Sequence, residues 1–186
     1  MNDPHDRRVL CNLAHRWREL SAWPVMDERR RLWTALKDLE AERPMVLFET
    51  WFLENYVAEE ELECKHPDAR AIEKHMRWIL RQIEEIGDDM VLEPEYRVYW
   101  DIAACDYGVP LYSEHADDAQ GGQVAYHYNH PIRTPEEVEK LKPRRFSVDR
   151  EKTRRRVEAL QDIFGDILPV VLHGTGGLHA ALTQDL

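Results

Sequence analysis

The sequence predicts an α/β fold, a mostly parallel sheet covered by helices, on three observations. The run Ile167-Leu168-Pro169-Val170-Val171-Leu172, closed by His173 and a glycine turn, reads as a buried parallel strand opening a βα unit. Short apolar runs alternate with long amphipathic helical stretches, the order that places helices over a parallel sheet. A polar, glycine-bearing stretch at 109–128 breaks the alternation as an antiparallel hairpin would.

The elements follow in order. Val9, Leu10, Leu13, Trp17 and Leu20 recur at helical spacing and predict a helix over 5–21. Pro24 separates it from a second helix over 27–42, with Leu32, Leu36 and Leu39 on one face. These make a helical extension at 1–43, ahead of a sheet domain at 44–186. After Pro44, Met45-Val46-Leu47-Phe48 is too short for a helix and reads as a first buried strand ending at Glu49. A stripe of Ile72, Met76, Ile79, Leu80, Ile83 and Ile86 predicts a helix over 68–87, with Gly87 as its left-handed cap.

Met90-Val91-Leu92 reads as the second strand, halted at Glu93-Pro94, and Tyr96–Trp100 either extends the sheet or forms a strand of its own. Val109–Tyr112 and Gln123–Tyr128 flank the hairpin turn. Thr134-Pro135-Glu136-Glu137 is a capping box that opens a short helix. A longer helix over 149–164 turns Thr153, Val157, Leu160 and Phe164 inward, with Gly165 as its cap. Three parallel strands are too few to close a sheet on themselves. The expectation is a chain forming the front portion of a larger enzyme, in preference to one completed by another copy or segment.

Bulk properties exclude several classes. With 186 residues, 43% apolar and 33% charged, the composition is that of an ordinary globular protein. A net charge of −11 argues against a nucleic-acid partner, whose phosphates require a basic face. No apolar run approaches the length a membrane helix needs, and no signal-peptide core follows the charged start at Asp3–Arg8. Cys11, Cys64 and Cys105 are odd in number and far apart, so no disulfide framework is implied, and a cytoplasmic location is expected.

One longer pattern resembles a known family. Asp106-Tyr107-Gly108-Val109, the hairpin, then Pro131-Ile132-Arg133-Thr134-Pro135-Glu136-Glu137-Val138-Glu139-Lys140-Leu141 resembles the uroporphyrinogen decarboxylase superfamily, which includes cobalamin- and coenzyme M-dependent methyltransferases. So does the charged helix running into Phe164-Gly165-Asp166 and a Pro-Val-Val-Leu strand, and Arg43-Pro44-Met45-Val46-Leu47 stands where the first barrel strand would be.

The resemblance implies the N-terminal part of a (β/α)8 TIM barrel, preceded by a helical extension and carrying a β-hairpin insertion. Its active site would lie at the C-terminal ends of the strands. Zinc and a corrinoid are the cofactors implied for the full-length protein, but the family's His and Cys ligands lie later in the barrel and no position here matches them. The decarboxylases follow strand one with arginines that bind porphyrinogen carboxylates. Here Glu49-Thr50-Trp51-Phe52-Leu53-Glu54-Asn55-Tyr56 has two acids and no arginine. The resemblance therefore favours methyl transfer from a methylated donor or corrinoid to a thiol, with a small-molecule substrate and a corrinoid protein or a second copy as partners. The alternatives are a decarboxylase acting on a small carboxylic acid or porphyrinogen, and a non-catalytic protein pairing through an open sheet edge.

Pocket candidates follow from strand ends. His173 ends the last strand before Gly174, Gly176 and Gly177, where polar residues face a barrel's mouth; the alternative is a histidine merely hydrogen-bonded at a strand terminus. The glycine turn lacks a phosphate-loop lysine. Glu49 and Glu93 end the first two expected strands, with Glu95 competing for the place of Glu93; either is otherwise a solvated strand-end acid. Trp51 and Trp100 line an apolar pocket or pack under a loop. His127 and His130, with His115 nearby, imitate a metal site without a completing ligand, and Cys64-Lys65-His66 is weaker still. The basic run Arg144–Arg156 reads as a solvated helix face.

Overall fold

The computed structural model describes residues 3–48, 56–104, 107–117 and 123–174. The chain mixes helix and sheet and divides into two compact units, Met1–Tyr99 with Glu151–Leu186, and Trp100–Arg150. Among the described residues no helix is long and apolar enough to cross a membrane.

The first unit opens with α1 (Pro4–Ser21), whose Asp3 carboxylate accepts from the N–H of His5 at 2.8 Å and caps the helix ahead of Pro4. Val9, Leu10, Ala14, Trp17 and Leu20 are its buried face. Helix α2 (Pro24–Lys37) also starts on a proline. It stops five residues short of the expected end because Leu39 takes a left-handed φ of 64° and is 93% exposed, while the Glu40 N–H closes on the Ala35 carbonyl at 2.8 Å.

Helix α3 (Pro67–Arg81) follows the predicted stripe, with Ile72, Met76, Ile79 and Leu80 buried. Its last turn widens into a π turn at Gln82–Ile86, where Gly87 at φ 66° donates its N–H to the Gln82 carbonyl. The buried Asp6 carboxylate of α1 fastens the start of α3, accepting from the N–H groups of Lys65 and His66 at 2.8 and 3.0 Å.

Two expected strands do not form. Met45–Phe48 joins no strand ladder, and Val46, Leu47 and Phe48 are 60%, 48% and 50% exposed. Side-chain carboxylates take the place of a neighbouring ladder: Asp89 accepts from the N–H of Val46, and Asp88 from that of Phe48, both at 2.8 Å. At Met90–Leu92 the backbone is engaged by α2, with Arg29 donating to the Met90 carbonyl at 2.8 Å and the Leu92 N–H meeting the Met26 sulfur at 3.4 Å.

Asp89 makes this region sensitive to acid. The Arg43 guanidinium, and then the Val46 N–H, hold its carboxyl at about 2, below its ordinary 3.8. A lowered folded-state pKa gives stability that is complete above the ordinary value and lost as the pH falls from there towards 2. Urea midpoints between pH 5 and pH 2 should therefore show about 2 kcal/mol of acid-dependent loss that Asp89→Asn lacks.

The sheet of this unit is one parallel pair. Strand β1 (Tyr96–Tyr99) lies beside the later strand β6 (Val170–His173), with Tyr96 opposite Val170 and Tyr99 opposite His173. The expected last strand is thus present and parallel. Tyr96, Val98 and Val170 are buried with α1, α3 and Arg150–Phe164, the fourth helix, in one apolar core. The Tyr96 ring meets Phe164 edge-on at 5.5 Å and Trp17 at 6.0 Å. Residues of α1 contribute directly to this core.

The second unit holds β2 (Asp101–Ala104), β3 (Ser113–Asp117), β4 (Gln123–Tyr128) and β5 (Phe146–Asp149). β3 and β4 form the expected antiparallel hairpin, shifted so that its first strand begins at Ser113, and β2 pairs antiparallel with β5. The capping block forms a 3-10 turn at Pro135–Lys140, with Glu137 accepting from the N–H groups of Arg133 and Thr134. Arg150–Phe164 is labelled α4, following the chain.

Candidate functional site

Tyr96 and Val98 point into the core, so period-two alternation turns Arg97 and Tyr99 to the other face of β1. The parallel register brings Tyr99 beside His173 at the C-terminal ends of both strands, with ring centroids 6.3 Å apart. Glu95, one residue before β1, lays its carboxylate along this face. Its Oε1 accepts from Arg97 Nε at 2.7 Å and lies 3.1 Å from His173 Nε2. The side chains are partly open: His173 is 36% exposed, Glu95 25% and Arg97 42%.

The chemistry of this cluster follows from its contacts. Arg97, and after it His173, hold the Glu95 carboxyl below its usual range despite partial burial, so it stays anionic at neutral pH. An anionic Glu95 opposite Nε2 selects the tautomer in which Nε2–H donates and Nδ1 carries the lone pair. The arrangement is an oriented base with a guanidinium alongside. It can remove a proton and pair with an anion.

Of the sequence candidates, His173 stands in this cluster. Glu93 does not: its carboxylate pairs with Arg30 of α2 at 3.1 Å and its carbonyl accepts from Trp17 Nε1 at 2.8 Å, so Glu95 takes the place expected for it. Pro94 separates the two, and only Glu95 continues the face of Arg97 and Tyr99. Glu49 and Trp51 lie outside the described residues. Trp100 belongs to the second unit and lies under the Arg150 guanidinium at 5.3 Å. Sequence reasoning missed Arg97 and Tyr99, although polar or amphipathic residues at 95, 97 and 99 around apolar 96 and 98 carry the signal.

Other chemistry-bearing residues are accounted for. His127 and His130 stack edge-on at 5.5 Å in the second unit, and His115 Nε2 bonds Ser113 Oγ at 3.0 Å. Among the described residues no group of three or more His, Cys, Asp or Glu is placed to hold a metal ion. The zinc implied by the resemblance therefore has no fitting donor set among them. Cys64 is buried and its thiol is pushed up to about 12, by burial first and then by Glu73, which removes it as a nucleophile. His66 Nδ1 accepts from the N–H of Asp68 and caps α3.

The fold and site together define a mixed helix-and-sheet chain with a His–Glu–Arg cluster at the open face of a parallel strand pair. Searches against protein-family models, curated proteins and solved structures found no match.

Proposed function

We propose that β1, β6 and their helices are an arc of a (β/α)8 barrel of the uroporphyrinogen decarboxylase superfamily, acting in its methyl-transfer branch. The observation that supports this is the His173–Glu95–Arg97 cluster on the face that the core helices leave open, with His173 at its strand's C-terminal end. Glu95 orients the imidazole. His173 Nδ1 takes the proton of an acceptor thiol as the sulfur lone pair forms a bond to the methyl carbon, and the donor departs with the electron pair of the broken bond. Arg97 pairs with an anionic group elsewhere on the thiol substrate. No step is assigned to zinc.

Arg97 also favours one alternative within the superfamily, decarboxylation of a small carboxylic acid held by that guanidinium. The two readings separate in one experiment. The protein expressed from its complete gene is incubated with a methylated corrinoid and a thiol, and separately with small carboxylic acids. Thioether formation supports methyl transfer, and carbon dioxide release without it supports the alternative. On the first reading His173→Gln lowers kcat by about 100-fold or more, with KM for the thiol little changed. A His173→Gln protein as active as the parent removes the proposed role.

A further inference from the structure

Tyr96 opens β1, at the end of the strand pair opposite His173, and is only 3% exposed. Its ring is fixed on three sides, with centroids 5.5 Å from Phe164 of α4, 5.9 Å from His75 of α3 and 6.0 Å from Trp17 of α1. Among the described residues no group bonds the phenol oxygen, although a buried hydroxyl ordinarily has a partner. That oxygen keeps contact with solvent, because Gln82 Oε1 is the one fully enclosed side-chain polar atom there without a partner.

Two further basic groups meet it. The His75 ring is open to solvent, rests against Trp17 and Trp78 at 6.4 and 6.0 Å, and has no hydrogen bond among the described residues. Arg156 on α4 is exposed and, among the described residues, pairs with no carboxylate, whereas Arg77, Arg81 and Arg97 each do. Its guanidinium acts electrostatically on both His75 and Tyr96, and no described carboxylate acts on either. Burial pushes the Tyr96 phenol up to about 12, so it stays protonated and able to donate. Burial first, and then Arg156, pushes His75 down, so it is a neutral imidazole with an N–H to offer.

We infer that His75, Tyr96 and Arg156 form a binding site for a phosphate group, free or carried by a small molecule, at the N-terminal ends of the strand pair. The site holds three donors and a fixed positive charge with no carboxylate, which selects an anion and repels a cation. The donors come from α3, β1 and α4, so a phosphate with three free oxygens can serve each separately, while a carboxylate has two. The inference stands whether or not the methyl-transfer reading does.

The intact chain is titrated with sodium phosphate, and separately with sodium acetate, at constant ionic strength, while the His75 imidazole resonances are followed by NMR; their loss in His75→Gln assigns them. Phosphate should shift them saturably and raise the pKa of His75, since an anion offsets the push from Arg156. Acetate should bind at least about tenfold more weakly. Arg156→Gln should raise the phosphate Kd by about tenfold or more, and Tyr96→Phe by about threefold to tenfold. Tyr96→Phe should leave the urea midpoint unchanged, because the hydroxyl has no protein partner to lose. Arg155→Gln, the neighbouring exposed cation, should change the Kd less than about twofold. Resonances that phosphate does not move, acetate binding as tight as phosphate, or an Arg156→Gln or Tyr96→Phe protein that binds like the parent would overturn the site. An Arg155→Gln loss equal to that of Arg156→Gln would do the same, since it would mark a diffuse field.

Discussion

Replacing Glu73 by alanine is expected to destabilise the folded chain by about 3–5 kcal/mol, as for breaking one partner out of a buried ionic group. Glu73 lies on α3 and is fully buried. Its two oxygens accept from the N–H groups of Glu63 and Cys64 at 2.9 and 2.8 Å and from Arg77 Nε at 2.8 Å. Burial by itself would raise its pKa. The two N–H groups and Arg77 outweigh that and hold the carboxyl below its ordinary value. Alanine would leave two amide donors and one guanidinium edge facing a void, each without its acceptor. Glu73→Gln keeps the volume and one acceptor oxygen but turns an amide N–H₂ towards donors, so a smaller loss is expected. Urea denaturation measures both. Reaction of the Cys64 thiol with a disulfide reagent should also quicken in Glu73→Ala, because the segment before α3 loses its anchor.

The second large effect is expected at Phe164, where truncation to alanine should cost about 3–5 kcal/mol, the range for a large side chain removed from a closed core. Phe164 is 1% exposed at the end of α4, and its ring meets Tyr96 at the start of β1 edge-on. The same residue's carbonyl accepts from the N–H groups of Ile167 and Leu168, both at 2.9 Å, which sets the turn leading into β6. One side chain thus fastens the helix to one strand while its backbone positions the other. Phe164→Leu, which keeps most of the volume, should cost about 1.5 kcal/mol or less. If Phe164→Ala leaves the urea midpoint unchanged, the aromatic core does not anchor the parallel pair. The contact between Tyr99 and His173 should weaken with stability, because the two rings meet only while β1 and β6 hold their register.

Helices were the most legible part of the chain, and the reason is local. The stripe in α3, the prolines that open α1, α2 and α3, and the glycine after α3 act within a few residues of each other, so the sequence carries their signal directly. Met45–Phe48 and Met90–Leu92 show where that logic stops. Both are short apolar runs of the kind that predicts a buried strand, but strand formation needs a partner. Here Asp88, Asp89 and Arg29, brought in from elsewhere in the fold, occupy the backbone groups instead.

The candidate site divides in the same way. His173 was legible because a polar residue closing an apolar run marks a strand end. The choice of Glu95 over Glu93 was not, since it rests on Arg30 reaching one carboxylate and Arg97 the other, and Arg30 lies 63 residues before Glu93.

The sequence alone located the four long helices, though not the end of α2, together with the hairpin excursion and the parallel last strand ending in a histidine. Only the tertiary structure decided which extended runs are strands, which acid faces His173, and that Arg156 acts on His75 and Tyr96 together. The physical reason is range. Caps and helical stripes are made between neighbours in sequence, whereas a ladder partner, an ion pair or a covered face exists only once distant segments have met.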